Sequence, residues 1–288
     1  MTKYQDRFVD VVNYIEANLD TNLDIDKLCQ RVYLSKYHFH RQCSAFFGMS
    51  VMSLAKLLRL KRAAYQLAYR DDKKVLEIAL TNGYESHEAF SRAFKKRFNQ
   101  SPSSFRLSPN WASWDATYEP IIILRSKIMN NSGNFTVDLV DFPETLIGAI
   151  EHRGPPNMLG NTIQKFIQWR KENKLPPTKS KTFNLVYDDP NLVDAKDYRF
   201  DIACSIPHLL EGNTAGIVNK TIPAGKCALI RHVGSDDTIG LAVNYLYLTW
   251  LNASNYTLRD FPIFFERVTF YPDVAENEMI TDIYLPIK

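Results

Sequence analysis

Two matched sets of side chains in the first third of the sequence have the types and spacing to read a nucleic acid. Tyr37, His40, Arg41 and Ser44 fall on one side of a helical pattern whose other side is Phe39, Cys43, Phe46 and Phe47. Farther on, Glu88, Ser91, Arg92 and Lys95 fall opposite Phe90, Phe94 and Phe98. An aromatic stripe packs such a helix down and leaves its long polar side chains outward. An outward arginine can donate two hydrogen bonds to guanine in a major groove, and a glutamate can accept one from cytosine. The same spacing also suits a plain surface pair of Glu88 with Arg92, one helical turn apart.

A third candidate lies near the end of the chain. Between Phe261 and Tyr271, strand alternation puts Glu266 on the same face as Phe264, Val268 and Phe270. A carboxylate on an apolar face needs a partner. One reading is an internal ion pair with an arginine such as Arg199 or Arg231, or a strand end that is wet. The other is a pocket of aromatics around a carboxylate, suited to a cationic or hydrogen-bonding organic ligand.

Other chemistry is thin. The sequence has no GxxxxGK, GxSxG or HExxH, and its six histidines (His38, His40, His87, His152, His208, His232) form no metal-spaced pair. No catalytic residue, metal or cofactor is therefore expected. Cys29, Cys43, Cys204 and Cys227 have no CxxC spacing, which suits a reducing cytoplasm. The longest nearly apolar run, Leu241–Leu251, is far short of the ~20 residues that cross a bilayer. The chain opens with Lys3, Asp6, Arg7 and Asp10 rather than an apolar signal. These features predict a cytoplasmic protein with no membrane partner.

Charge divides the chain. Residues 1–110 carry 18 Lys/Arg against 11 Asp/Glu, and the remainder 17 against 21. From Lys27 to Arg70 there are nine basic residues and no acidic one. A basic surface concentrates polyanions and binds them in a salt-dependent way. A solvated face is the alternative.

The elements that must position these groups follow from periodicity and caps. A shift of 51 residues overlays Tyr33 on Tyr84, Ser35 on Ser86, Phe39 on Phe90, Arg41 on Arg92 and Phe47 on Phe98. Each copy reads as helix, turn, helix. The first helix of copy one carries Ile25, Leu28 and Val32 behind an Asp24 cap. The second runs from about Lys36 to Phe47 and stops at Gly48. In copy two, Val75, Ile78 and Ala79 mark the first helix, Asn82–Gly83 the break, and Ser86 caps a helix to Phe98. Between the copies, 50–70 reads as one continuous helix, about 31 Å long, close to the ~34 Å turn that separates successive half-sites on B-DNA.

Residues 109–135 read as a linker with one apolar segment, Ile121–Leu124. Beyond it, strands are predicted over 135–140, 146–152, 182–187, 199–205, 216–222, 226–232, 263–271 and 279–285. Helices are predicted over 161–172 and 237–251. At 288 residues, with 45% hydrophobic and 23% charged residues, the chain suits two globular domains. The first is all-α, with two helix-turn-helix motifs joined by a long helix, and the second is α+β.

The residues Ile78-Ala79, Gly83-Tyr84, Ser86, Phe90-Ser91-Arg92-Ala93-Phe94-Lys95-Lys96, Phe98, Ser101-Pro102 and Phe105-Arg106 resemble the signature of AraC/XylS-type transcription regulators. The resemblance covers about 4–107 and is closest to members with the DNA-binding part at the N-terminus. It implies that Tyr37, His40 and Arg41 face bases in one groove, and His87, Glu88 and Arg92, beside the cap Ser86, in the next. Asn99 stands where Gly is usual, and Cys43 where an aromatic is usual.

The pattern Phe142-Pro, Gly154, Tyr187-Asp188-Asp189-Pro190, Tyr198-Arg199-Phe200-Asp201, Pro223-Ala224-Gly225, His232-Val233-Gly234, Phe264-Phe265-Glu266-Arg267 and Tyr284-Leu285-Pro286 resembles the GyrI-like effector-binding domain over about 136–288. That resemblance implies two βαββ repeats around a cleft lined by Glu266, with Trp169, Tyr187 and Trp250 as walls.

The domains so expected are 1–108 for DNA, 109–135 as linker and 136–288 for a small organic effector, cationic among the options. The expected function is sequence-specific transcription regulation, by family habit activation, with promoter duplex and RNA polymerase as partners at the nucleoid. A hydrolase using Glu266 as general base and a protein-interaction module are the alternatives.

Overall fold

The computed structural model describes residues 3–129, 135–212 and 215–288. The chain divides into two compact units, Met1–Gly133 with Tyr271–Glu278, and Asn134–Phe270 with Met279–Lys288.

The first unit is helical. Its elements are α1 (Lys3–Ala17), α2 (Ile25–Val32), α3 (Lys36–Phe47), α4 (Val51–Tyr69), α5 (Val75–Thr81), α6 (His87–Phe98), α7 (Pro102–Leu107) and α8 (Trp111–Met129). Local chemistry starts most of them. Asp24 accepts from the backbone N–H groups of Asp26 and Lys27 and so caps α2. Ser35, Ser50, Ser86 and Ser101 cap α3, α4, α6 and α7 in the same way. These serines also obey the 51-residue repeat, Ser35 with Ser86 and Ser50 with Ser101. At the ends of α3 and α6 the repeat pairs Gly48 with Asn99, and both are left-handed, at φ +69° and +55°. Asparagine reaches that region more easily than other side chains. Its presence where Gly is usual therefore keeps the helix end.

The core of this unit is the aromatic stripe foreseen from spacing. Phe39, Cys43, Phe90, Phe94 and Phe98 are buried, together with Phe105 and Tyr118. Burial pushes the Cys43 thiol up to about 12. The four cysteines are all buried and free.

Three helices of this unit, α1, α7 and α8, lie outside the sequence expectation. Helix α1 buries Phe8, Val11, Val12 and Ile15, which share the helical period. The segment read as a linker carries α8, in which Trp111, Trp114, Tyr118 and Ile121 are buried at helical spacing. Pro120 falls inside that helix, where a break is the usual consequence. Residues 130–134 of that segment lie outside the described residues.

The acid-free run Lys27–Arg70 is not one solvated face. Arg59 donates to the carbonyls of Leu19 and Thr21, and Arg62 to Asn82 Oδ1 and the Thr81 carbonyl. Lys61 is buried and pairs with Glu276 at 2.6 Å. Arg70 is bonded to Asp273. Four of the nine cations therefore hold the helical unit together.

The second unit is a curved sheet, a half-barrel. Its strands are β1 (Asp138–Phe142), β2 (Thr145–Arg153), β3 (Thr182–Val186), β4 (Arg199–Ser205), β5 (Ile217–Ile222), β6 (Gly225–Val233), β7 (Ile263–Arg267) and β8 (Ile280–Pro286). They lie in the order β1-β6-β8-β7-β3-β4-β2-β5, with every pairing antiparallel. Helix α9 (Leu159–Glu172) follows β2, and α10 (Ile239–Tyr245) follows β6, continuing through a π turn at Leu246–Trp250.

Alternation gives the sheet two distinct faces. One carries Ile150, Ile202 and Cys204 beneath α9, and Ile230, Phe265 and Ile283 beneath α10. The opposite face carries Phe142, Phe183, Phe264 and Tyr284 as an aromatic cluster. Strand β7 is shorter than the 263–271 expected. The amides of Val268 and Thr269 both donate to the Ile280 carbonyl, so the ladder ends there.

Candidate nucleic-acid interface and effector site

Helices α3 and α6 present the two outward sets. Tyr37, His40, Arg41 and Ser44 are exposed on α3. On α6, His87, Glu88, Arg92 and Lys95 are exposed, and Ser91 is half-buried. Ser86 is spent in part as the cap, its hydroxyl accepting from the Ala89 amide at 3.1 Å. Glu88 sits in the first turn of α6. A bond from its own backbone N–H, then the Ser86 side chain, then the charges of His87 and Arg92 hold its carboxylate below the usual range. The carboxylate therefore stays ionised, as an acceptor from cytosine requires. Lys95, Lys96 and Arg97 crowd the last turn of α6, where cations suit the helix dipole.

Helix α3 packs directly on α4, whereas α6 packs on α5, α7 and α8, and α5 and α7 in turn pack on α4. At 1.5 Å per residue α4 is about 28 Å long, slightly less than the sequence estimate because Ser50 and Arg70 are its caps.

The sheet face opposite the helices holds the second group of candidate residues. Its middle is aromatic, with Phe264 stacked on Tyr284 at 5.0 Å and Phe142 edge-on to both. Charged groups border it. Glu266 lies in register with Phe183 on β3 and Asp282 on β8. Its partner is Lys181, at 2.9 Å, rather than either arginine weighed from the sequence. Arg199 is instead taken by Asp188 and Arg231 by Asp282. Burial, followed by the charges of Glu266 and Asp282, raises the Tyr284 phenol well above its ordinary range.

Tyr187 is on this same face, with its hydroxyl donating to Asp201 at 2.8 Å. The cationic groups of Arg153, Arg199 and Lys220 all lie within 6 Å of its ring centre, at 5.6, 5.6 and 5.7 Å. Spacing alone missed Asp201, Lys220 and Arg153 as members of the face. Their alternation with buried residues on β4, β5 and β2 is the signal that could have found them.

Trp169 and Trp250 fall elsewhere. Trp169 stacks with Phe166 on the sheet-facing side of α9, and Trp250 stacks on Tyr256 beside the core under α10. The structure thus brings Glu266 and Tyr187 onto one face and puts both tryptophans behind it. Among the described residues no group of three or more His, Cys, Asp or Glu is placed to hold a metal ion.

Residues 135–288 match the family model of the GyrI-like small molecule binding domain, and residues 28–108 that of a helix-turn-helix domain. The chain is an AraC-family helix-turn-helix regulator fused to a GyrI-like domain. The second half is similar to the Escherichia coli K12 protein described as "Probable transcriptional regulator YgiV". The two are 36% identical over 157 residues, 54% of this chain and 98% of that protein. The first third is similar to Bacillus subtilis "Uncharacterized HTH-type transcriptional regulator YbfP", 37% identical over 36% of this chain and 35% of that protein. It is also 31% identical to the Escherichia coli K12 "Right origin-binding protein", over 36% of each chain. The regulator binds DNA through its helical part and a small molecule through its GyrI-like part. Among the described residues no single helix is long and apolar enough to cross a membrane.

Proposed function

We propose that the regulator reads two successive major grooves with a single chain and activates transcription through RNA polymerase in response to a small aromatic cation. It would do so in the cytoplasm, at the nucleoid. Tyr37, His40 and Arg41 meet bases in one groove; His87, Glu88 and Arg92, with Ser86 at the helix start, meet them in the next. Residues 1–108 serve as the reading domain, 109–135 as the connection and 136–288 as the effector domain. The effector domain reads as a duplicated βαββ unit, each half adding one further strand. Glu266 meets the positive group of the effector, Tyr187 borders the same face, and Trp169 and Trp250 support the sheet from behind.

One observation carries the DNA reading. Helices α3 and α6 repeat each other at 51 residues in cap, buried stripe and outward set, which supports reading them as two copies of one DNA-reading head. Selection of bound sequences from a random duplex pool tests it. The full-length protein should enrich a bipartite motif whose halves are about one helical turn apart, with one chain per site. Arg41→Ala should relax one half and Arg92→Ala the other, each weakening binding by about 1–3 kcal/mol. If neither variant changes the enriched motif, or two chains occupy each site, the assignment is wrong.

A further inference from the structure

Three of the carboxylates on the sheet face opposite the helices are held in different ways. Asp201, wholly buried, accepts from Lys220 at 2.6 Å, from Arg153 at 2.8 Å and from the Tyr187 hydroxyl at 2.8 Å. Asp282 accepts from two nitrogens of Arg231, both at 2.7 Å. Glu266 faces the Lys181 ammonium, 2.9 Å from Oε1 and 3.1 Å from Oε2. The Lys181 side chain is 64% exposed, whereas that of Glu266 is 12% exposed. A mostly buried carboxylate needs a cation. An ion pair with one long, hydrated partner is weak and easily exchanged. A bidentate arginine is neither.

We propose that Lys181 is a built-in competitor of the effector: its ammonium occupies the place at Glu266 that the positive group of a cationic effector takes, and it swings into solvent when that effector binds. This rests on the reading of Glu266 as the effector's carboxylate. Lys181 precedes β3 and alternates onto the face of Phe183. Its displacement costs the regulator only an exposed ion pair. Lys181 thereby sets the concentration at which a cation is sensed. It also keeps Glu266 neutralised in the absence of effector, so the unliganded face is not left with a bare buried charge.

The test is calorimetric titration of the full-length protein with benzyltriethylammonium and with an uncharged benzylamide of matched size. Lys181→Gln should tighten binding of the cation roughly two- to fivefold, the worth of an exposed pair. Lys181→Arg, which can hold Glu266 with two parallel bonds, should weaken it. In a Glu266→Gln background, Lys181→Gln should give no gain. Lys181→Arg should keep the wild-type thermal midpoint, whereas Lys181→Gln, which leaves the mostly buried Glu266 without its cation, should lower it slightly. A cation affinity that is unchanged or weakened in Lys181→Gln, or tightened in Lys181→Arg, overturns the inference alone, provided Glu266→Gln weakens the cation more than the amide. If Glu266→Gln leaves the cation's affinity at the wild-type value, or the wild type binds neither probe, the reading of Glu266 falls and the inference falls with it.

Discussion

At the scale of single residues, His232, near the end of β6, shows how burial becomes a pH response. His152 lies 2.8 Å from Thr162 Oγ1, and His232 lies 3.0 Å from Thr238 Oγ1 and 3.2 Å from the Ser235 carbonyl. Burial lowers the pKa of His232 below its ordinary 6.5, against the opposing pull of the Ser235 carbonyl and Asp236. The sign follows from linkage. Above the unfolded value both states are neutral and the contribution is fully present. As pH falls through that value, the unfolded chain takes up a proton that the folded one resists, and stability is lost until the folded value is reached. The thermal midpoint should therefore fall as the pH drops through about 6.5, and His232→Gln should flatten that slope whatever it does to the absolute midpoint. An unchanged slope in a melting series would remove His232 as its source. Residue chemistry was only half legible beforehand. Alternation alone put Glu266 on an apolar face, but its partner is 85 positions away, and only the register of β3 with β7 brings Lys181 to it. Trp169 and Trp250 carried no positional signal, and the sheet's two faces separated them from Glu266.

At the scale of elements, what was legible is what local chemistry decides. The serine caps and the stop at Gly48 fixed α3, α4 and α6 to within a residue, because capping acts over three or four positions. Strand ends were less legible: where β7 stops depends on which amides the Ile280 carbonyl receives. Helix α8 escaped because prolines and tryptophans read as linker, while the burial that stabilises it comes from the rest of the helical unit. The two glycine turns of the repeat allow a sharper test. Gly48 and Gly83 both have positive φ, at +69° and +73°. A Cβ at Gly48 would meet nothing within 4 Å, whereas one at Gly83 would lie 3.1 Å from Arg59 Cζ and 3.3 Å from the Leu19 carbonyl oxygen. Gly48→Ala should then cost only the left-handed backbone penalty, about 1–2 kcal/mol. Gly83→Ala should cost more, because Arg59 must also release the Leu19 carbonyl to which it donates. Equal losses in denaturant unfolding would mean that Arg59 relaxes freely and does not anchor that turn.

At the scale of the whole molecule, the charge split is the property that matters for DNA, and the structure revises how it is spent. The sequence alone offers nine cations between Lys27 and Arg70. Arg59, Lys61, Arg62 and Arg70 are committed to carbonyls, Asn82 and carboxylates inside the helical unit. Two of the exposed ones, Arg31 and Lys36, already pair with Asp10 and Asp26. Phosphate contacts must then draw on groups such as Lys56, Lys95 and Lys96, which are exposed. Each phosphate neutralised contributes about −0.9 to the slope of log K against log salt. Lys95→Gln and Lys96→Gln should each weaken binding to every sequence alike and reduce that slope by about 1. Arg59→Gln should behave oppositely, lowering the thermal midpoint while leaving the slope at its wild-type value. Titrations at a series of salt concentrations, on a selected site and on random duplex, separate the two classes. A loss of slope in Arg59→Gln would place that guanidinium on the phosphate backbone and return the acid-free run to the role its composition suggests.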